Sequence, residues 1–195
     1  MLQIYTWPTE CLNTKSTPFD FAQGIPSYPD LEKFQEEMIN LMIASKGIGL
    51  AANQIGINKR FFCIGHESFD VFSKPVIIWN PQIKTSSEET VVDLEGCLSF
   101  PDIWIKVDRP KKVTVTWQNM KGETLMQHLD GMESKCFQHE LDHLDGITFN
   151  TRVSKLKWDF FYALFIEGLV DILVSIAQAI LVIIGLEIGS LQFGF

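Results

Sequence analysis

The sequence predicts an α+β domain with antiparallel sheets, followed by an apolar helical tail. Three observations predict it. Apolar residues recur at helical spacing after residue 31, and short β-branched and aromatic runs follow. A second helical segment, near residue 131, carries two histidines four apart.

The first 30 residues read as an irregular arm broken by Pro8, Pro18, Pro26 and Pro29. Leu31, Phe34, Met38, Leu41 and Met42 then mark one face of a helix that fades near Ser45, before Gly47 and Gly49. Arg60–Ile64 and Val76–Trp79 read as strands. Val113–Trp117 alternates strictly, Asn119–Gly122 turns the chain, and Thr124–Leu129 pairs back as a hairpin. Asp130 and Gly131 open the histidine-bearing helix and Gly146 ends it.

The 195 residues suit one domain of ordinary size with an appendage, and 46% hydrophobic content supports a packed core. The net charge of −8, with no lysine or arginine block, argues against direct nucleic-acid binding through a basic surface. The four cysteines, at 11, 63, 97 and 136, form no C-x-x-C pair and no disulfide framework. Met1–Pro8 lacks the basic and apolar regions of a secretory signal, so the expected location is the cytoplasm. In a reducing cytosol Cys11, Cys63 and Cys136 read as buried small hydrophobes.

The chain changes character from about Trp158, which divides it into a catalytic domain, 1–157, and an apolar extension, 158–195. Ile172 to Leu186 carries no charge, yet it falls short of the roughly 17 apolar residues a spanning helix needs at minimum. Crossing would bury Asp171 or Glu187, at roughly 2.5–3.5 kcal/mol at mid-bilayer. Three readings stand: a helix packed on the domain or on a second copy, a membrane-associated helix, and an unstructured, aggregation-prone extension.

His139-Glu140-Leu141-Asp142-His143 places two imidazoles on one helix face, where both reach one metal ion, with Glu140 beside them to handle a proton. A hydrolytic site takes a third protein ligand and keeps one position open. Upstream lies Glu95-Gly96-Cys97-Leu98-Ser99, whose thiol is a soft, strong ligand when ionised. Alone, Cys97 reads better as a buried thiol; the surrounding motifs reverse that preference. Further upstream, Gly47-Ile48-Gly49-Leu50-Ala51-Ala52-Asn53-Gln54 allows close backbone approach to a ligand and ends in an amide able to donate to an oxyanion.

Together, in this order, the three segments resemble peptide deformylase, the family that removes the N-formyl group from nascent chains; the resemblance spans roughly residues 1 to 157. It implies antiparallel sheets packed around a central metal-binding helix, metal ligands at Cys97, His139 and His143, and a catalytic carboxylate at Glu140. It implies oxyanion donors at the Gln54 side chain and the Leu98 backbone N–H. Positions Ile48 and Cys136 match the family's methionine pocket, and Ile48 and Gly49 its peptide-backbone recognition. It further implies one divalent ion, Fe²⁺ in the cell with Zn²⁺, Ni²⁺ or Co²⁺ in purified protein. The implied partners are a formylmethionyl nascent peptide and, transiently, the ribosome. The tail adds possible membrane or self-association.

Two departures stand out. Many bacterial members carry an arginine where this chain has Trp104, and the run from Cys97 to Pro101 looks more like the plastid and cyanobacterial branch; a bacterial or phage source also fits, the latter placing the protein in host cytoplasm. The apolar tail replaces the basic helix with which some members dock on the ribosome. A competing reading is an H-E-x-x-H zinc endopeptidase with Glu167 or Asp171 as third ligand, which leaves the Gly47 and Cys97 motifs unexplained. Another is a non-catalytic metal-binding or membrane-tethering module, which needs neither Glu140 nor Gln54.

Overall fold

Helix α1, Leu31–Ala44, starts where the Asp30 carboxylate accepts the Lys33 backbone N–H at 3.0 Å, satisfying a donor the helix leaves orphaned. It buries Phe34, Met38 and Met42, the expected apolar face. The computed structural model describes residues 2–165 and residue 176. The chain divides into two compact units, Met1–Arg152 and Val153–Phe195.

In the first unit, five strands pair antiparallel in the order β1 (Gly49–Ala51), β2 (Phe61–Ile64), β3 (Val76–Ser86), β6 (Lys112–Gln118) and β7 (Thr124–Asp130). β4 (Thr90–Cys97) and β5 (Phe100–Pro110) form a separate antiparallel pair. The expected strand at 76–79 runs on to Ser86 because the chain absorbs a bulge at Asn80, whose φ is 49°. The Asn80 side chain accepts the Phe19 N–H at 2.7 Å and donates to the Phe19 carbonyl at 3.0 Å. That ties the N-terminal arm to the sheet.

Helix α2, Gly131–Leu144, is central as expected and packs against both sheets. Phe137 is wholly buried, its ring edge-on to Phe62 of β2 with centroids 5.1 Å apart. Burying such a side chain contributes about 1.5–3 kcal/mol. The helix ends at Gly146, whose φ of 72° suits glycine and whose Cα faces the backbone of Asn13. Asp130 precedes the helix without a side-chain cap; its carboxylate pairs instead with Lys112 at 2.9 Å.

The arm is irregular apart from a short turn at Glu10–Asn13, but it is not loose. Tyr5 N–H donates to the Gln54 carbonyl at 2.7 Å, Trp7 N–H to Ser99 at 2.9 Å and Ser16 N–H to Leu144 at 2.8 Å. It therefore clasps the segments around all three motifs.

In the second unit, α3 spans Lys155–Phe165, beginning slightly before the expected onset of the tail at Trp158. The run Ile172–Leu186 lies outside the described residues apart from Ile176. Among the described residues no helix is long and apolar enough to cross a membrane.

Candidate metal centre

The 3.6-residue period of α2 puts His139 and His143 on one face, their ring centroids 4.9 Å apart. β4 delivers Cys97 at its last residue, where the pairing with β5 shifts register. One donor atom from each of Cys97, His139 and His143 lies within 4.8 Å of the other two, and Cys97 Sγ is 3.2 Å from His143 Nε2. These are the three residues the motifs single out.

Two buried groups frame the cluster. The Gln54 amide nitrogen donates to Ser99 Oγ at 3.0 Å and lies 3.7 Å from Cys97 Sγ, while its oxygen accepts the Ala51 N–H at 2.8 Å. The amide is thus oriented with its donor end toward the cluster. Glu140 is 4% exposed, and among the described residues its Oε2 has no hydrogen-bond partner. Burial pushes its carboxyl up to about 7. Gly49 faces that carboxylate so closely that a Cβ there would sit 2.7 Å from Glu140 Cδ.

The remaining residues singled out by sequence line the same region. Cys136 is buried, and its thiol donates to the Ile48 carbonyl at 3.6 Å, joining the two positions matched to the methionine pocket. The Leu98 side chain lies against Gly47, where a Cβ would come within 2.7 Å of it. Trp104 is 60% exposed and lays its ring over Gly96, beside Cys97.

Four charged residues support the cluster without having been singled out: Glu95, Arg109, Asp142 and Arg152. Glu95 Oε2 lies 3.0 Å from His139 Nδ1, which leaves Nε2 available to a metal ion. Arg109 grips Glu95 through Nε at 2.5 Å and Nη2 at 2.9 Å. Burial opposes ionisation of Glu95, but the bonds from His139 and Arg109 outweigh it and hold the carboxyl down at about 2. Glu95 and Asp142 stand inside the quoted motifs. The signal for Arg109 was its place in the alternation Ile103, Ile105, Val107, Arg109, where an inward-facing cation demands buried acids.

The two histidines titrate in opposite directions. Burial disfavours charge on His139, yet Cys97 and Glu95 outweigh that and raise it well above the usual imidazole value. Burial, then the charge on His139, pushes His143 well below it. One thiol and two imidazoles, beside the orphaned Glu140 oxygen, make a donor set that fits a divalent ion.

The family model for polypeptide deformylase matches residues 1–158. The chain belongs to the peptide deformylase family. Peptide deformylase of Thermotoga petrophila is 43% identical over 137 residues, which cover 70% of this chain and 80% of the relative. The crystal structure of the Thermotoga maritima family member aligns with a TM-score of 0.69 at 38% identity, over 79% of this chain and 98% of that one. A plant peptide deformylase aligns with a TM-score of 0.74 at 32% identity, over 86% and 88%. Membership in this family leaves the endopeptidase and non-catalytic readings without support. Glu167 and Asp171 lie outside the described residues, whereas Cys97 stands beside the histidines.

Proposed function

We propose that Cys97, His139 and His143 hold one divalent ion and that Glu140 is the proton shuttle of this enzyme. The reaction is hydrolysis of the N-formyl group from the N-terminal formylmethionine of nascent polypeptides, releasing formate. The observation that carries the assignment is the convergence of those three donors beside a buried carboxylate with an unpartnered oxygen.

A divalent ion in this donor set supplies Lewis acidity toward a carbonyl oxygen and acidifies water. The soft thiol with two imidazoles suits Fe²⁺ in the cell and Zn²⁺, Ni²⁺ or Co²⁺ in purified protein. Glu140 accepts the proton of the attacking water as the oxygen adds to the formyl carbon, then delivers a proton to the amine as the C–N bond breaks. The Gln54 amide and the Leu98 N–H donate to the oxyanion of the tetrahedral intermediate. Glu95 fixes His139, leaving one ring nitrogen for the ion. Ile48 and Cys136 border the methionine side chain, and the backbone of Ile48 and Gly49 aligns the peptide. Small volume at Gly49 keeps the carboxylate close to the scissile bond.

Residues 1–157 form the catalytic domain and 158–195 an extension that governs membrane or self-association. Four free cysteines fit work in the cytoplasm, on chains emerging from the ribosome. The test is formate release from formyl-Met-Ala-Ser by protein loaded anaerobically with Fe²⁺. Turnover is expected, with Glu140→Ala keeping the metal but losing about 10²–10⁴-fold in rate. Absence of turnover by metal-loaded wild type would overturn the reading; wild-type rates in Glu140→Ala would remove Glu140 from it.

A further inference from the structure

The line of charges that begins at His139 does not stop at Arg109. Arg109 Nη1 reaches Asp142 Oδ2 at 2.8 Å, and Arg152 Nε donates to the same oxygen at 2.9 Å while its Nη2 holds Asp142 Oδ1. Asp142 sits on α2 between the two histidines; Arg152 ends the short turn Phe149–Arg152. The inner members are buried, whereas the Arg152 side chain is 41% exposed. We propose that Arg152 is a positioning residue for the metal centre, acting on His139 through Asp142, Arg109 and Glu95. The inference rests on the metal assignment made above.

The physical case is one of shared oxygens. Asp142 Oδ2 serves two guanidiniums, and its Oδ1 is held by Arg152. Without Arg152 that buried oxygen loses its partner, and the carboxylate is free to rotate toward Arg109. The Arg109 fork is planar and rigid, so a shift at its Asp142 end is passed to the Glu95 end, and from there to the His139 ring. Outer partners of metal ligands commonly alter affinity about 10–100-fold when removed.

Charge and position predict opposite signs. Two carboxylates and two guanidiniums balance in this network. Deleting Arg152 leaves a surplus negative charge near the ion, which by electrostatics alone would retain a cation more tightly. Loss of positioning would release it faster.

The experiment is the rate at which zinc-loaded, full-length protein releases metal to a chromogenic chelator, for wild type, Arg152→Ala and Arg152→Lys. Release about tenfold faster in Arg152→Ala is expected, with Arg152→Lys in between because its ammonium still holds one Asp142 oxygen although the fork is lost. The Co²⁺-substituted alanine variant should also show a shifted visible spectrum, reporting altered ligand geometry. Release at or below the wild-type rate in Arg152→Ala, or faster release in the lysine than in the alanine variant, overturns the proposal. So does failure of both variants to fold, which would make Arg152 a structural residue. If wild type holds no zinc at all, the metal centre itself falls, and this inference with it.

Discussion

Replacing Gly49 with alanine puts a methyl group where the Glu140 carboxylate now lies. The added Cβ would stand 2.7 Å from Glu140 Cδ. Comfortable carbon–carbon contact is about 3.5–4.0 Å, so the carboxylate must retreat by about 1 Å. The backbone can accept alanine, because Gly49 is an ordinary extended residue in β1, and the fold should survive. The damage falls on chemistry: a misplacement of about 1 Å in a reacting group costs on the order of 10²-fold. That corresponds to about 2.7 kcal/mol of barrier. The assay is steady-state formate release from formyl-Met-Ala-Ser, with metal content and melting temperature measured on the same sample. We expect kcat to fall about 100-fold with metal content and melting temperature near wild type. A kcat within about threefold of wild type would refute the reasoning, and a loss confined to KM would show that the methyl obstructs the peptide and not Glu140.

Two further outcomes can be checked on stability and domain limits. Gly146→Ala forces a side chain into a backbone with φ of 72° and brings its Cβ to 2.7 Å from the Asn13 carbonyl oxygen; a loss of about 1–3 kcal/mol, read as a fall in melting temperature, is expected, and unchanged melting would contradict it. Truncation after Lys157 should leave a folded, active enzyme that partitions less to liposomes or self-associates less than the full chain; unfolding or loss of turnover would move residues beyond 157 into the core.

The helix that carries His139 and His143 was legible because period, motif and terminal glycine agree. So was the β6–β7 hairpin, whose strict alternation and Asn119–Gly122 turn survive in the structure. The β4–β5 pair was not. β4 leaves Val91, Val92 and Leu94 exposed, so it shows no clean inner face, and β5 starts among Pro101 and Asp102, which read as breakers. At the site, the residues assigned to the reaction stood out because each is chemically distinctive in a short pattern. The residues that hold them did not: Arg109 and Arg152 meet Asp142 only because three separate elements converge on it. β1 was hidden for a related reason, since its three residues are recognisable as a strand only beside β2.

The arm that clasps Gln54, Ser99 and Leu144 has a consequence for how the protein reaches its working state. Residues 5, 7 and 16 find their partners at 54, 99 and 144, so these contacts span long stretches of chain. Pairings so distant along the chain carry a large loop-closure entropy and belong to domains that fold in milliseconds to seconds, not microseconds. The arm, the Gln54 segment, the strand pair around Ser99 and the end of the histidine-bearing helix meet only in the assembled domain, through contacts that no one segment makes alone.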